Sequence, residues 1–472
     1  MIRLLSASGR RRTRARAAGR PALAAAAMLL AGGCGNDYWY DSGPSAEADV
    51  TTPSGVQTGP VKIAFTLTGD IPTTGITVTF STNGNTFRDA TEGTGSDGTT
   101  NLVVSPGGTA HTFVWDSGAD LDGAREPSVI VRVRPENGST VKTDAFAVRN
   151  SRFMAAVDGA AEGTARLYQL DAVDGSVSFL QGLATGGVDP FDVLFQGGFF
   201  FIAHSTSNNV AVLKVDEEGE VLSPVFGSPF ACDGTGSKYL ATDGSQVFVS
   251  NTGTDTISMF HLESGTGVLT RTSGSGVAAA GCRGLAVVSG RLYVASETEG
   301  QVLILDIGSG GTLAANSASP VATGGLASPR ALAASGSRVY AANFSASIIS
   351  GFNVVTGGGL EPLTGSPFTV SASGLEDLGS GGTKLLAVSG AGEKLLSLTL
   401  DAFGGLTEDA ASPIALDGPS FSVKTAGKFA VAGTTTSRNF AVFTIGSTGT
   451  LTPVASSPFS AGAEVLRFAV SD

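Results

Sequence analysis

Two styles of apolar patterning run along the chain. Between residues 60 and 149, apolar and polar residues alternate in short segments: Val61-Lys-Ile-Ala-Phe-Thr-Leu67, Ile76-Thr-Val-Thr-Phe80, Asn101-Leu-Val-Val104, His111-Thr-Phe-Val-Trp115, Ser128-Val-Ile-Val-Arg-Val-Arg134 and Ala145-Phe-Ala-Val148. Alternation puts successive side chains on opposite faces of a strand, so these segments predict a small antiparallel sandwich. From residue 151 onward the apolar runs are shorter, more continuous and repetitive. A Gly-x-aliphatic triplet recurs at Gly175/Val177, Gly219/Val221, Gly267/Leu269, Gly311/Leu313, Gly358/Leu360, Gly404/Leu406 and Gly449/Leu451, with spacings of 44, 48, 44, 47, 46 and 45 residues.

Each triplet closes a similar unit. An apolar strand such as Val339-Tyr-Ala-Ala-Asn343 is followed by a polar turn and a second strand, Ile348-Ile-Ser-Gly-Phe352, then the glycine turn and often a Ser-Pro-Phe element. About four strands in a period near 45 residues is the arithmetic of a propeller blade, which cannot bury both faces of its sheet alone and must stack in a ring. The first repeat lacks a leading strand, whereas the chain ends in a spare one, Glu464-Val-Leu-Arg-Phe-Ala-Val470. The expected fold is therefore all-β: a small sandwich over residues 60–149, then a seven-bladed β-propeller over residues 150–472 closed by the strand 464–470.

The amino terminus reads differently. Seven arginines fall in the first 20 residues, followed by the apolar run Pro21-Ala-Leu-Ala-Ala-Ala-Ala-Met-Leu-Leu-Ala31 and by Leu30-Ala-Gly-Gly-Cys34. The run is too short to span a bilayer and has the build of a signal peptide, residues 1–33. Its end resembles a bacterial lipobox, which implies lipidation at Cys34 and attachment to a membrane, with Gly35 favouring the outer membrane on its periplasmic face or at the cell surface. Ala31 stands where that pattern usually has leucine. Residues 34–59, rich in Gly, Ser, Thr, Pro and acids, read as a flexible tether.

Composition agrees with many short strands joined by turns: 66 glycines, 42% hydrophobic residues and only 15% charged ones. Net charge is −12, and without the seven leading arginines 22 basic residues face 41 acidic ones. That balance argues against a nucleic-acid partner, which needs clustered basic charge. Cys232 and Cys282 are 50 residues apart; an even pair in an exported chain is a disulfide candidate, the alternative being two buried thiols. No metal-ligand spacing, cofactor motif, nucleophile elbow or phosphate loop occurs. His111 and His261 lie in strands and read as structural. Asp116, Asp120 and Asp122 read as a solvated turn rather than a calcium loop.

Three recurring words, a Tyr-Val-Ala-Asn-like strand (Tyr293-Val-Ala-Ser296, Phe248-Val-Ser-Asn251), an Ile-Ser-x-Phe strand (Ile257-Ser-Met-Phe260) and the Gly-x-Leu turn, resemble the YVTN-type repeats of the bacterial β-propeller lactonase family, related to 6-phosphogluconolactonase. The resemblance implies the fold over about 320 residues and, more weakly, a lactonase activity using Arg, Glu and His on one face. Phe113-Val-Trp-Asp-Ser117 with Val131-Arg-Val-Arg134 resembles fibronectin-like modules of bacterial surface proteins, with Trp115 as a core residue.

Aligning each leading strand on a central leucine (Leu194, Leu240, Leu285, Leu332, Leu378, Leu466, with Val423 standing in) places Asp192, Lys238, Arg283, Arg330, Glu376 and Glu464 two residues upstream, Phe421 being the exception. These side chains are expected to ring one mouth of the central channel, with His204, Asn251 and Asn343 on the same face. One reading is a self-neutralising ring that closes a watery channel. The other is an anion site: Arg283 and Arg330 clamp a carboxylate or phosphate, and Glu376 or His204 acts as general base on a lactone. The leading functional expectation is an exported, lipid-anchored, non-catalytic module presenting the propeller to a protein, glycan or small anionic ligand. A lactonase-like hydrolase is the alternative.

Overall fold

The computed structural model describes residues 45–57, 60–150, 152–158, 163–171, 174–216, 221–324, 328–446 and 449–471. The expected signal peptide and the lipidation site at Cys34 lie outside the described residues.

The sandwich forms as the alternation requires. One sheet pairs Ala46–Val50, Pro60–Gly69 and Thr109–Asp116; the other orders Phe146–Arg149, Arg125–Pro135, Ile76–Ser81 and Arg88–Asp89. Trp115 is fully buried among Ile63, Phe65, Phe80 and Val131, and its indole donates to Asp120 at 2.6 Å. One boundary moves. The segment expected to be all tether contributes a strand, since Ala46–Val50 pairs antiparallel with Phe65–Gly69 and buries Ala46 and Ala48. Its alternating pattern is only five residues long and is masked by acidic outward positions, so composition hid it.

Seven sheets then follow. Blade one takes its inner strand from the carboxyl terminus: Arg467–Val470 pairs antiparallel with Met154–Val157. The expected closure is thus present, three residues shorter than the sequence suggested. The other inner strands are Pro190–Gln196, Ser237–Thr242, Cys282–Val288, Pro329–Ser335, Leu375–Gly381 and Ser420–Ala426, for blades two to seven.

The recurring sequence words each have a structural cause. The repeat glycine sits at a blade-to-blade contact. Gly404 has φ +87°, and a Cβ there would fall 2.4 Å from Arg338 of the preceding blade; its carbonyl accepts the Tyr340 hydroxyl at 2.8 Å. Gly358 repeats this against Arg291 and Tyr293. The serine of the recurring Ser-Pro element solves a different problem. In blades two to seven the outer strand is split in two, as in Leu222–Pro224 and Phe230–Ala231, which would orphan an N–H of the third strand. Ser228 accepts that N–H from Val212, Ser319 from Ile304, Ser366 from Gly351 and Ser457 from Val442, each at 2.9 Å.

Cys232 and Cys282 are free thiols, not a disulfide. Cys232 packs with Val249 and Phe260, whereas Cys282 packs with Ile257 and Met259. Residues 257–260 alternate along one strand of blade three, so that sheet stands between the two sulfurs.

Arg152, at the start of blade one's second strand, pairs with Asp122 of the sandwich at 2.7 Å. The contact lies beside the blade seven hairpin at Gly427. The sandwich therefore joins the propeller face made by the inner-to-second hairpins, opposite the face that carries the charged residues.

Candidate functional site

Each inner strand of blades two to seven opens with a bulge, where one extra residue stands between two rungs of the ladder. A bulge re-aims its extra side chain, and in blades three to six that residue is Lys238, Arg283, Arg330 and Glu376. The expected charged register holds for these four. In blade two the pairing of Asp192 with Ala203 and Pro190 with His204 makes Phe191 the bulge residue. In blade one, Arg467 pairs with Val157 and the Leu466 N–H donates to Val157, so Leu466 takes the position assigned to Glu464. Glu464 itself is exposed, off the mouth. The leucine used for alignment stands on a different rung in those two blades. The corrected rim is asymmetric: charged over blades three to six, and apolar at Phe421, Leu466 and Phe191 over blades seven, one and two.

The charged half is a connected network. Arg283 Nε and Nη2 both meet Glu297 Oε2 at 2.6 Å. Arg330 places Nε on Glu297 Oε1 at 2.5 Å and Nη1 on Glu376 Oε1 at 2.9 Å, and its guanidinium stacks 3.3 Å over the centre of Phe344. Burial opposes ionisation of Glu297, but Arg330 and Arg283 outweigh it and hold the carboxyl below its ordinary range. Glu297 was missed by sequence reasoning. It follows the second strand of blade four, next to the position of Asn251 and Asn343, and a lone acid in one turn breaks no repeat. Lys238 has no carboxylate in ion-pair contact among the described residues; its ammonium rests 4.8 Å from the Phe191 ring centre.

One rung deeper, Arg467 crosses the lumen. From blade one it reaches Asp377 Oδ1 and the Glu376 carbonyl of blade six, each at 3.3 Å. Its guanidinium lies 5.5 Å from the Tyr239 ring and 5.8 Å from Phe191. Lys424 meets Asp377 at 2.7 Å. Burial raises Asp377, yet Lys424 and Arg467 prevail and hold it down. Among the described residues Asp192 accepts only the Leu240 N–H, at 3.0 Å, and burial drives its pKa up against Arg467 and Lys424. Arg467 thus floors the mouth. On its far side lies a separate cavity of about 340 Å³ lined by Ala333, Gly379, Ser380, Lys424 and Val470.

His204, Asn251 and Asn343 are fully buried inside their blades. Asn251 binds Ser237 and Ser258, and Asn343 binds Ser350. His204 Nε2 is 2.7 Å from the Thr185 hydroxyl, and burial pushes its pKa down to about 4. They staple the second strand rather than face the channel, so His204 is removed as a base. Among the described residues, no group of three or more His, Cys, Asp or Glu gathers in a form that could hold a metal ion.

Fold and mouth together define a seven-bladed propeller with an ion-paired polar site at one end of its channel. Residues 145–371 match the family model "Lactonase, 7-bladed beta-propeller". Solved structures of similar fold include a protein of Bacteroides fragilis provisionally named a 6-phosphogluconolactonase, at 16% identity and TM-score 0.60, covering 68% of this chain and 98% of that one. The periplasmic gluconolactonase of Pseudomonas aeruginosa is also similar, at 16% identity and TM-score 0.59, covering 68% and 99%. A protein of Lactobacillus plantarum shows 17% identity and TM-score 0.58, covering 68% and 99%. At these identities the likeness is one of fold. No curated protein matches the chain in sequence.

Proposed function

We propose that the protein is a lactonase-type hydrolase acting on a small oxygen-rich lactone at the charged mouth. The observation that carries this reading is the convergence of Lys238, Arg283, Arg330, Glu297 and Glu376 from four adjacent blades onto one rim. The lactonase family match and the gluconolactonase named among the structural neighbours support it. Arg330 engages Oε1 of Glu376 and leaves Oε2 free among the described residues. That oxygen takes a proton from water as the water attacks the acyl carbon. The ring C–O bond then breaks, the protonated Glu376 returns that proton to the leaving ring oxygen, and a hydroxy acid results.

Proton release from a panel of lactones, followed at constant pH with the full chain, tests the proposal. Turnover that falls by about a hundredfold or more in Glu376→Gln supports it. No turnover on any lactone overturns it. The second reading, a non-catalytic binding module, is favoured by one observation: both mouth arginines are already paired with glutamates. In either case we read the chain as exported and lipid-anchored at Cys34, with the sandwich as a fibronectin-like spacer. Loss of membrane association in Cys34→Ser tests the anchor.

A further inference from the structure

We propose that Lys238 is the docking group for a single carboxylate, so that the mouth takes a monoanionic hydroxy acid rather than a phosphorylated one. The inference rests on the reading of the mouth as a ligand site and adds the charge class of what it binds.

Charge on the rim is unevenly spent. Two arginines face two glutamates, and every contact among them is made through oxygen at 2.5–2.9 Å. That part of the site is electrically closed. Lys238 is the rim cation that, among the described residues, has no carboxylate in ion-pair contact. It shares the bulge register with Arg283 and Arg330, and it is half-buried. No acceptor takes its protons among the described residues. What holds it is the face of Phe191 at 4.8 Å. A cation–π contact fixes an ammonium in place without accepting its hydrogen bonds, so its three N–H donors stay available. Burial and the neighbouring Arg283 work against its charge and outweigh the support of Asp189 and Glu297. An incoming anion relieves that tension.

The same count limits the ligand. A phosphomonoester brings about −1.5 to −2 charges near neutral pH. It is usually met by arginine forks or a nest of backbone N–H groups. Both rim forks are turned onto Glu297 and Glu376, and one rung deeper Arg467 and Lys424 are already engaged by Asp377. On the rim itself Lys238 is therefore left, among the described residues, to meet one negative charge. Lys238 also stands at the seam of the rim, with the charged half on one side and Phe191, Leu466 and Phe421 on the other. A ligand with its carboxylate on Lys238 can lay a C–H-rich face on the apolar half. The product of opening a neutral lactone is such a monoanion.

Isothermal titration of the full chain with D-gluconate, D-glucitol and 6-phosphogluconate tests the proposal. Gluconate binds, glucitol does not, and 6-phosphogluconate binds no more tightly than gluconate. Lys238→Met weakens gluconate at least tenfold while Lys238→Arg retains it, and circular dichroism confirms that both variants fold. The proposal is overturned by absence of gluconate binding, by a gluconate affinity within twofold of wild type in Lys238→Met, or by tighter binding of 6-phosphogluconate. Gluconate is not a lactone, so its binding reads this inference independently of turnover: an inactive protein that binds gluconate through Lys238 loses only the hydrolase reading, and an active one indifferent to Lys238 loses only this one.

Discussion

Replacing Glu297 with glutamine keeps the shape of the keystone of the rim and removes its charge. Three contacts change character: two from Arg283 and one from Arg330, all within 2.6 Å in the native chain. Charge-assisted hydrogen bonds contribute about 1.5–3 kcal/mol each and are roughly twice as strong as neutral ones. Losing half of that at three contacts gives about 3 kcal/mol, and the arginines' access to solvent, 24–28%, trims it to about 2 kcal/mol. The sign with pH follows from the lowered carboxyl of Glu297. Its stabilisation is complete above the unfolded-state value of about 4.3 and is lost as pH falls through the lower folded value. Urea unfolding of Glu297→Gln should therefore show a deficit of about 2 kcal/mol at pH 7 that narrows below pH about 4. The same substitution adds one net positive charge beside Lys238, so gluconate should bind more tightly to the less stable protein. A variant as stable as wild type at pH 7, or a deficit unchanged into acid, would refute the account of the rim as a charge-coupled network.

Other predictions follow from single residues. His204 is held at about 4 against an ordinary 6.5, so it withdraws about 3 kcal/mol as pH falls from 6.5 toward 4; in His204→Asn, the residue that Asn251 and Asn343 supply in other blades, the melting temperature should decline less over that window. Burial raises Cys232 and Cys282 to about 11 and 12; a Cys34→Ser chain should show no rapidly reacting thiol when folded and two after denaturation without reductant, whereas a disulfide gives none. Gly382→Ala at φ +57° meets open space and should cost about 1 kcal/mol of backbone strain. Gly404→Ala should exceed it by about 1 kcal/mol or more, because it also pushes on Arg338 and the Tyr340 hydroxyl across a blade seam; equal costs in chemical denaturation contradict the role given to the repeat glycine.

The blade count, the closure by the last strand and the sandwich before the propeller were legible because each is written as periodic burial. Apolar runs every 45 or so residues, glycines at the seams and serines before the split outer strands recur with the fold they serve. The rim was only half legible. Lys238, Arg283, Arg330 and Glu376 share a register that the sequence displays, but Asp192 and Glu464 were placed beside them by a leucine that stands on other rungs in blades two and one. Hydrophobic pattern alone does not locate a bulge, since the extra residue leaves the apolar positions on either side in plausible order.

What this chain determines by itself is local and periodic: strand, turn, repeat and the demand that open sheets stack. What only the closed ring decided is which residues from distant repeats meet. Glu297 lies between two arginines that are 47 residues apart, and Arg467 reaches blade six across the lumen from the strand that zips the ends together. Those encounters depend on ring closure and on bulge geometry. Neither leaves a periodic mark, because a charge at the mouth is used once, by its neighbours around the ring, whereas a buried strand is used seven times over.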